Sequence, residues 1–212
     1  MKHIPGFERR PLPDPVAQAM ELAPKLAIFA DLLTRWNARI NLVAAKDIAS
    51  LHERHILDSL QLLPLLPSSD VPIADLGTGG GFPGLVLAIA TGREFHLVEA
   101  DRRKAAFLNE AAARLGLSRT VVHAGRVEAV KLPPVGAVTA RALAPLAVLL
   151  PAAHRLLAAG GIAIFPKGRT ADSELTEVAL LWSFSVVRYA SRTDPDSTVL
   201  RISEIERATQ EL

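Results

Sequence analysis

The stretch "ADLGTGGGFPGLVLAIA", Ala74 to Ala90, crowds five glycines into the eight positions from Gly77 to Gly84. A strand-like apolar run leads into it and a helix-like apolar run leads out. Glycines let a backbone turn sharply and pass close to a ligand, and Pro83 at the head of a helix leaves free N–H groups facing any anionic group placed there. A loop of this kind belongs at the junction of a parallel strand and its crossover helix. It constrains the fold more than any other feature of the chain.

Two templates fit the same residues. Gly79, Gly81 and Gly84 are spaced as G-x-G-x-x-G, the dinucleotide fingerprint, while Asp75, Gly77, Gly79 and Gly81 are spaced as D-x-G-x-G-x-G, the loop of class I methyltransferases. Glu99 ends the next strand-like run, about 20 residues on, where a carboxylate can accept two hydrogen bonds from a ribose diol. Dinucleotides and S-adenosylmethionine both present that diol, and a plain strand-to-helix turn needs neither.

The surrounding pattern supplies the architecture. From Asp14, with Pro15 in a first turn, Leu26, Phe29, Leu33, Trp36 and Ile40 recur at helical spacing, and "IASLHERHILDSLQLLPLL" is a second helical run. After Val71 the period changes. Seven β-prone runs follow: "VPIADL", "EFHLVEA", "TVVHA", "GAVTAR", "GIAIFPK", "SFSVVRYA" and "STVLRIS", with helical patterns between the first five. The best-marked helices run from Pro83 to Thr91 and from Asp101 to Leu115, the second stopped by Gly116. The last two runs read as an antiparallel hairpin turning at Asp194 to Ser197. The expected fold is α/β, a seven-stranded, mostly parallel Rossmann-like sheet with an antiparallel terminal hairpin. A helical cap over residues 1–66 precedes a core over 67–212.

Composition narrows the chemistry. With no cysteine among 212 residues, thiolate metal sites and cysteine nucleophiles are excluded, and the scattered histidines suggest no metal site. The formal charge is +2, so no overall basic field announces a nucleic-acid partner. No apolar run has the length of a membrane span, and a soluble, cytoplasmic protein is expected. A short-chain dehydrogenase needs a tyrosine with a lysine four residues later; the only tyrosine is Tyr189, and position 193 is threonine. Asp75 and the terminal hairpin favour the methyltransferase template. The fourth strand runs into "TARALAPL" in place of an Asn/Asp-Pro-Pro-aromatic loop, which disfavours exocyclic amines, and pyrimidine C5 requires the missing cysteine. A ring nitrogen, a ribose oxygen or a small molecule remains. Guanine N7 is attractive because its lone pair is free at neutral pH and needs no general base.

Six motifs together resemble one family. They are "WNARINL" at Trp36 to Leu42, "ERHILDSL" at Glu53 to Leu60, "DLGTGGGFPG" at Asp75 to Gly84, "GRVE" at Gly125 to Glu128, "ARA" at Ala140 to Ala142 and "PKG" at Pro166 to Gly168. The chain resembles, from Leu26 to Arg201, the small-subunit ribosomal RNA guanine-N7 methyltransferases, the RsmG or glucose-inhibited division protein B family. The resemblance implies transfer of the methyl of S-adenosylmethionine to N7 of guanine 527 in 16S rRNA, leaving S-adenosylhomocysteine. It implies a cofactor site made by Gly77, Gly79, Phe82, Glu99, Val127, Glu128 and Arg141. Arg141 and Lys167 would orient the reacting groups. Arg54, His55, Asp58, Arg102, Arg103, Lys104 and Lys167 would contact RNA, the partner being 16S rRNA or a small-subunit particle. A monomer with no obligate protein partner is expected.

Blander roles stand beside these. Arg141 could pair with Asp75 or Glu128 and merely tie strand ends together; Arg54 and Asp58 could form a helix pair; Trp36 and Asn37 could be core packing and a cap. Val43 replaces the family's usual threonine, and the last strand keeps only Arg201 as a basic residue. A cofactor-binding RNA chaperone and a small-molecule methyltransferase are the rival functions.

Overall fold

The computed structural model describes residues 8–208. Seven strands form one sheet in the order β3-β2-β1-β4-β5-β7-β6. They are β1 (Ile73–Leu76), β2 (Phe95–Glu99), β3 (Thr120–Ala124), β4 (Val135–Thr139), β5 (Leu157–Lys167), β6 (Trp182–Ala190) and β7 (Thr198–Arg207). Only β7 runs against its neighbours. The β6–β7 turn is closed by the Ser197 N–H donating to the Asp194 carbonyl at 3.0 Å, where the hairpin turn is expected.

Side chains alternate between two apolar layers. Ile73 of β1, Phe95 and Leu97 of β2 and Ile164 of β5 face one layer, while Ala74, Leu76, Val98 and Phe165 face the other. The second layer is closed by α6 (Leu146–Leu156) and α7 (Ala171–Val178). The first is closed by α4 (Gly84–Thr91) and α5 (Arg102–Arg114), and then again from outside by the N-terminal helices α1 (Val16–Glu21) and α2 (Ala23–Asn37). This double cover explains why α4 is apolar on every side. Gly84 through Ile89 are all buried, sheet residues on one side and Phe29, Leu33 and Leu60 on the other. The N-terminal helices therefore share the core of the sheet.

Local signals end the elements where the chemistry requires. Asp101 caps α5, its side chain accepting from the backbone N–H groups of Arg103 and Lys104, and Gly116 follows at φ +67°. Gly92 ends α4 at φ +63°. Asp14 accepts from the Val16 N–H at 3.0 Å at the start of α1.

The second N-terminal run becomes a π-helical turn, His52–Leu57, continuing into α3 (Asp58–Leu60) and a 3-10 turn at Leu63–Leu65.

Two expectations are corrected. The link between β3 and β4 holds no helix: Arg126 to Val130 make one turn, and Pro133 and Pro134 then remove the N–H donors a helix would need. The N-terminal segment, read as purely helical, also contributes a bridge to the sheet, Arg10 pairing beside Tyr189 on the outer side of β6. An isolated bridged residue carries no periodicity, so the sequence pattern cannot reveal it.

Candidate active site

The glycine loop is held from below by Asp75. This fully buried carboxylate lies one residue before the end of β1, accepting from the Gly84 N–H at 2.9 Å and the Thr139 hydroxyl at 2.6 Å. Burial drives its pKa up to about 6; the hydrogen bonds from Thr139 and Gly84 and the charge of Arg141 oppose that rise. Gly77, Gly79 and Gly81 take φ of +64°, +57° and +93°, the left-handed region in which a side chain is strained.

From the neighbouring strand, Glu99 reaches back under the loop. One carboxylate oxygen accepts from the Gly79 N–H and the other from the Asp101 N–H, both at 2.8 Å. Each oxygen retains a lone pair, so a ribose diol can be bound without breaking either bond. Val127 and Glu128 follow β3 and line a largely apolar cavity of about 590 Å³ with Leu143, Ala144 and Val148. The loop glycines, a diol acceptor and apolar walls are the donor and acceptor set that an adenosyl cofactor requires.

Phe82 joins this region to the N-terminal segment. His55 stacks on its ring at 4.9 Å between centroids, and the Arg141 guanidinium lies 5.1 Å from the ring centre. Arg141 donates to Asp58 Oδ2 at 2.8 Å, to His55 Nδ1 at 2.8 Å and to the Arg54 carbonyl at 3.3 Å. Since Nδ1 accepts, His55 is the neutral Nε2–H tautomer. Its pKa is lowered by burial and then by the charge of Arg141. The partner of Arg141 is thus Asp58, neither Asp75 nor Glu128. Arg54 does not pair with Asp58 along the helix; its Nε lies 3.4 Å from Asp47.

Asp58 is further held by Gln61 at 2.7 Å and Thr193 at 2.6 Å, which tie the N-terminal segment to the β6–β7 turn.

Arg54, Asp58, Arg141 and Lys167 line one cavity of about 560 Å³ above the ends of β4 and β5. Lys167 is 11% exposed and paired with Glu174 at 2.7 Å, donating also to the Ala144 carbonyl at 3.0 Å. Burial would raise the pKa of Glu174, but hydrogen bonds from Lys167, Thr170 and the Leu146 N–H hold it below its ordinary value.

The other RNA-contact candidates lie apart from this cavity. Arg103 and Lys104 border a polar recess of about 330 Å³ with Arg39 and Asn41, and Arg102 is exposed on the same turn. Trp36 packs edge-on against Phe107 and donates to Glu110 at 3.0 Å, while Asn37 accepts from the N–H groups of Leu42 and Val43. Among the described residues, no group of three or more His, Asp or Glu could hold a metal ion, and no helix is long and apolar enough to cross a membrane.

Glu174, Gln61, Thr193 and Thr139 escaped the sequence reading. Glu174 alone left a signal, a carboxylate seven residues after the "PKG" lysine and four after Thr170.

Residues 22–195 match the GidB model, described as rRNA small subunit methyltransferase G. The chain belongs to the GidB family. Among its curated relatives, the ribosomal RNA small subunit methyltransferase G of Granulibacter bethesdensis is 55% identical over 92% of both chains. That of Rhodospirillum centenum is 49% identical over 95% of this chain and 93% of its own. The fold of this GidB-family chain is shared more widely. An O-methyltransferase from Bacillus cereus in complex with SAH matches with a TM-score of 0.58 at 16% identity, over 83% of this chain and 90% of that one. A ribosomal protein L11 methylase from Lactobacillus delbrueckii subsp. bulgaricus matches with a TM-score of 0.59 at 16% identity, over 74% and 79%. Both likenesses concern the class I methyltransferase fold.

Proposed function

We propose that this chain methylates 16S rRNA at N7 of a single guanine, guanine 527, using S-adenosylmethionine. The observation that carries the reading is the position of Arg141. It touches the glycine-loop aromatic Phe82 on one side and, through Asp58, borders the polar cavity shared with Lys167 on the other. One residue thus links a cofactor site to a substrate site. The family membership supports methylation of small-subunit rRNA; N7 suits a cavity whose carboxylates Asp58 and Glu174 are engaged by Arg141 and Lys167, because its lone pair needs no general base.

When bound, S-adenosylmethionine supplies an electrophilic methyl on a cationic sulfur. Gly77 and Gly79 let the backbone approach it, Glu99 accepts the ribose hydroxyls, and Val127 and Glu128 flank the adenine. Arg141 and Lys167 orient the base, and Arg54, His55 and Asp58 form the wall of its entrance. Arg102, Arg103 and Lys104 offer cations to the RNA backbone at a distance from that entrance. The target must be unstacked to enter, which favours a loop nucleotide. The reading places the protein in the cytoplasm as a monomer, residues 1–66 forming a cap over the catalytic core of 67–212.

Purified protein incubated with labelled S-adenosylmethionine and unmethylated small-subunit particles or their rRNA tests this directly. Mass-spectrometric mapping should return one 7-methylguanosine in 16S rRNA. No label in any RNA, with cofactor binding intact, would overturn it in favour of an assembly factor.

A further inference from the structure

The substrate cavity contains two ion pairs, and they are not equivalent. Arg141–Asp58 is tied to the glycine loop through Phe82 and His55. Lys167–Glu174 sits on β5 and α7, and its hydrogen bonds can be counted. Of the three ammonium N–H groups, one goes to Glu174 Oε2 and one to the Ala144 carbonyl. Glu174 Oε2 is filled by Lys167 and the Leu146 N–H at 2.8 Å, whereas Oε1 accepts only from Thr170, at 2.7 Å. One donor on Lys167 and one acceptor site on Glu174 Oε1 remain, on two paired residues lining the same cavity.

We propose that the Lys167–Glu174 pair is the base-reading element of this site, Lys167 donating to guanine O6 and Glu174 Oε1 accepting the guanine N1–H. The inference rests on the guanine-N7 reaction proposed above. A neighbouring acceptor and donor in that order are what guanine presents on its Watson–Crick edge. Adenine presents the reverse, an amine at position 6 and a bare N1, so Lys167 would face a donor and Glu174 a lone pair. N7 lies on the adjoining Hoogsteen edge, next to O6, and takes part in neither contact. A base held at O6 and N1–H by Lys167 and Glu174 leaves the N7 lone pair free in a cavity that Arg141, in contact with Phe82 of the glycine loop, also lines.

The same contact assists the reaction. As the N7 lone pair forms its bond to the methyl carbon and the carbon–sulfur bond breaks, positive charge passes from sulfur to the purine. N1–H becomes more acidic, and its hydrogen bond to the Glu174 carboxylate strengthens. An interaction stronger in the transition state than in the ground state accelerates transfer.

The test is a base series at the target position with wild-type protein, followed by the isosteric Glu174→Gln variant. Wild type should methylate inosine, which keeps O6 and N1–H, within about 10-fold of guanine, and discriminate against adenosine by at least about 100-fold. Loss of inosine transfer, or equal transfer to adenosine, overturns the base reading. No transfer to guanine overturns the proposed function itself. Glu174→Gln should lower guanine transfer by about 10- to 100-fold and shrink the guanine-to-adenosine preference, with cofactor Kd unchanged. An equal fall for every base would make Glu174 a positioning residue for Lys167 alone, and the proposal would fail.

Discussion

Gly84→Ala separates the glycine that permits packing from those that permit ligand approach. A Cβ at Gly84 would lie 2.5 Å from Asp75 Cβ, 2.6 Å from Asp75 Oδ2 and 2.6 Å from Leu97 Cδ2. The leucine methyl can rotate away, but Asp75 Cβ belongs to the central strand. Restoring an ordinary carbon–carbon separation of about 3.5 Å requires α4 to withdraw from β1 by about 1 Å. That movement breaks the bond from the Gly84 N–H to a fully buried carboxylate. Overpacking of this kind costs about 1–3 kcal/mol and the lost donor about 1–3 kcal/mol more, a sum of roughly 2–6 kcal/mol. Typical domains have only about 5–15 kcal/mol to lose. Urea denaturation should show a lower midpoint at unchanged slope, and Tm should fall by about 5–20 °C. Below that Tm, cofactor affinity should stay within a few-fold of wild type, because the missing Cβ points at the strand. Stability within about 0.5 kcal/mol of wild type would refute the packing argument. A stable variant that has lost the cofactor would make Gly84 a ligand contact instead.

Other expectations follow from the site. Asp75 titrates near 6 in the folded chain against 3.8 when unfolded, so its ionisation opposes folding: the penalty is absent below about pH 4, grows as pH rises, and levels off above about pH 6.5. The gap is worth roughly 3 kcal/mol, and wild-type minus Asp75→Asn stability curves should show it; a flat difference would mean that Asp75 is ionised without cost. Arg141→Ala should abolish methyl transfer while leaving cofactor Kd within a few-fold, read by single-turnover transfer and calorimetry; full activity would remove Arg141 from the mechanism. Glu99→Gln should weaken cofactor binding about 10- to 100-fold through the ribose contacts. Trp36→Phe removes the bond to Glu110 and should cost about 1 kcal/mol in chemical denaturation with kcat unchanged, as fits a packing residue.

Much of this protein is legible along the chain because the relevant forces act locally. Positive φ values at Gly77, Gly79 and Gly81, the Asp101 cap and the terminations at Gly92 and Gly116 each depend on residues within a turn of one another. The strands are visible for the same reason, since apolar runs bounded by turn residues express burial on both faces. The sequence by itself therefore determined a loop-bearing α/β sheet with a carboxylate, Glu99, at the end of its second strand. Only the tertiary structure decided which charges meet. Arg141 pairs with Asp58 across 83 positions, Thr193 reaches Asp58 across 135, and Glu174 joins Lys167 to the N-terminus of α6. Such pairs have no spacing rule. They form where the crossovers bring strand ends and the N-terminal segment to one edge of the sheet, and a buried charge there takes whichever partner the fold places within reach.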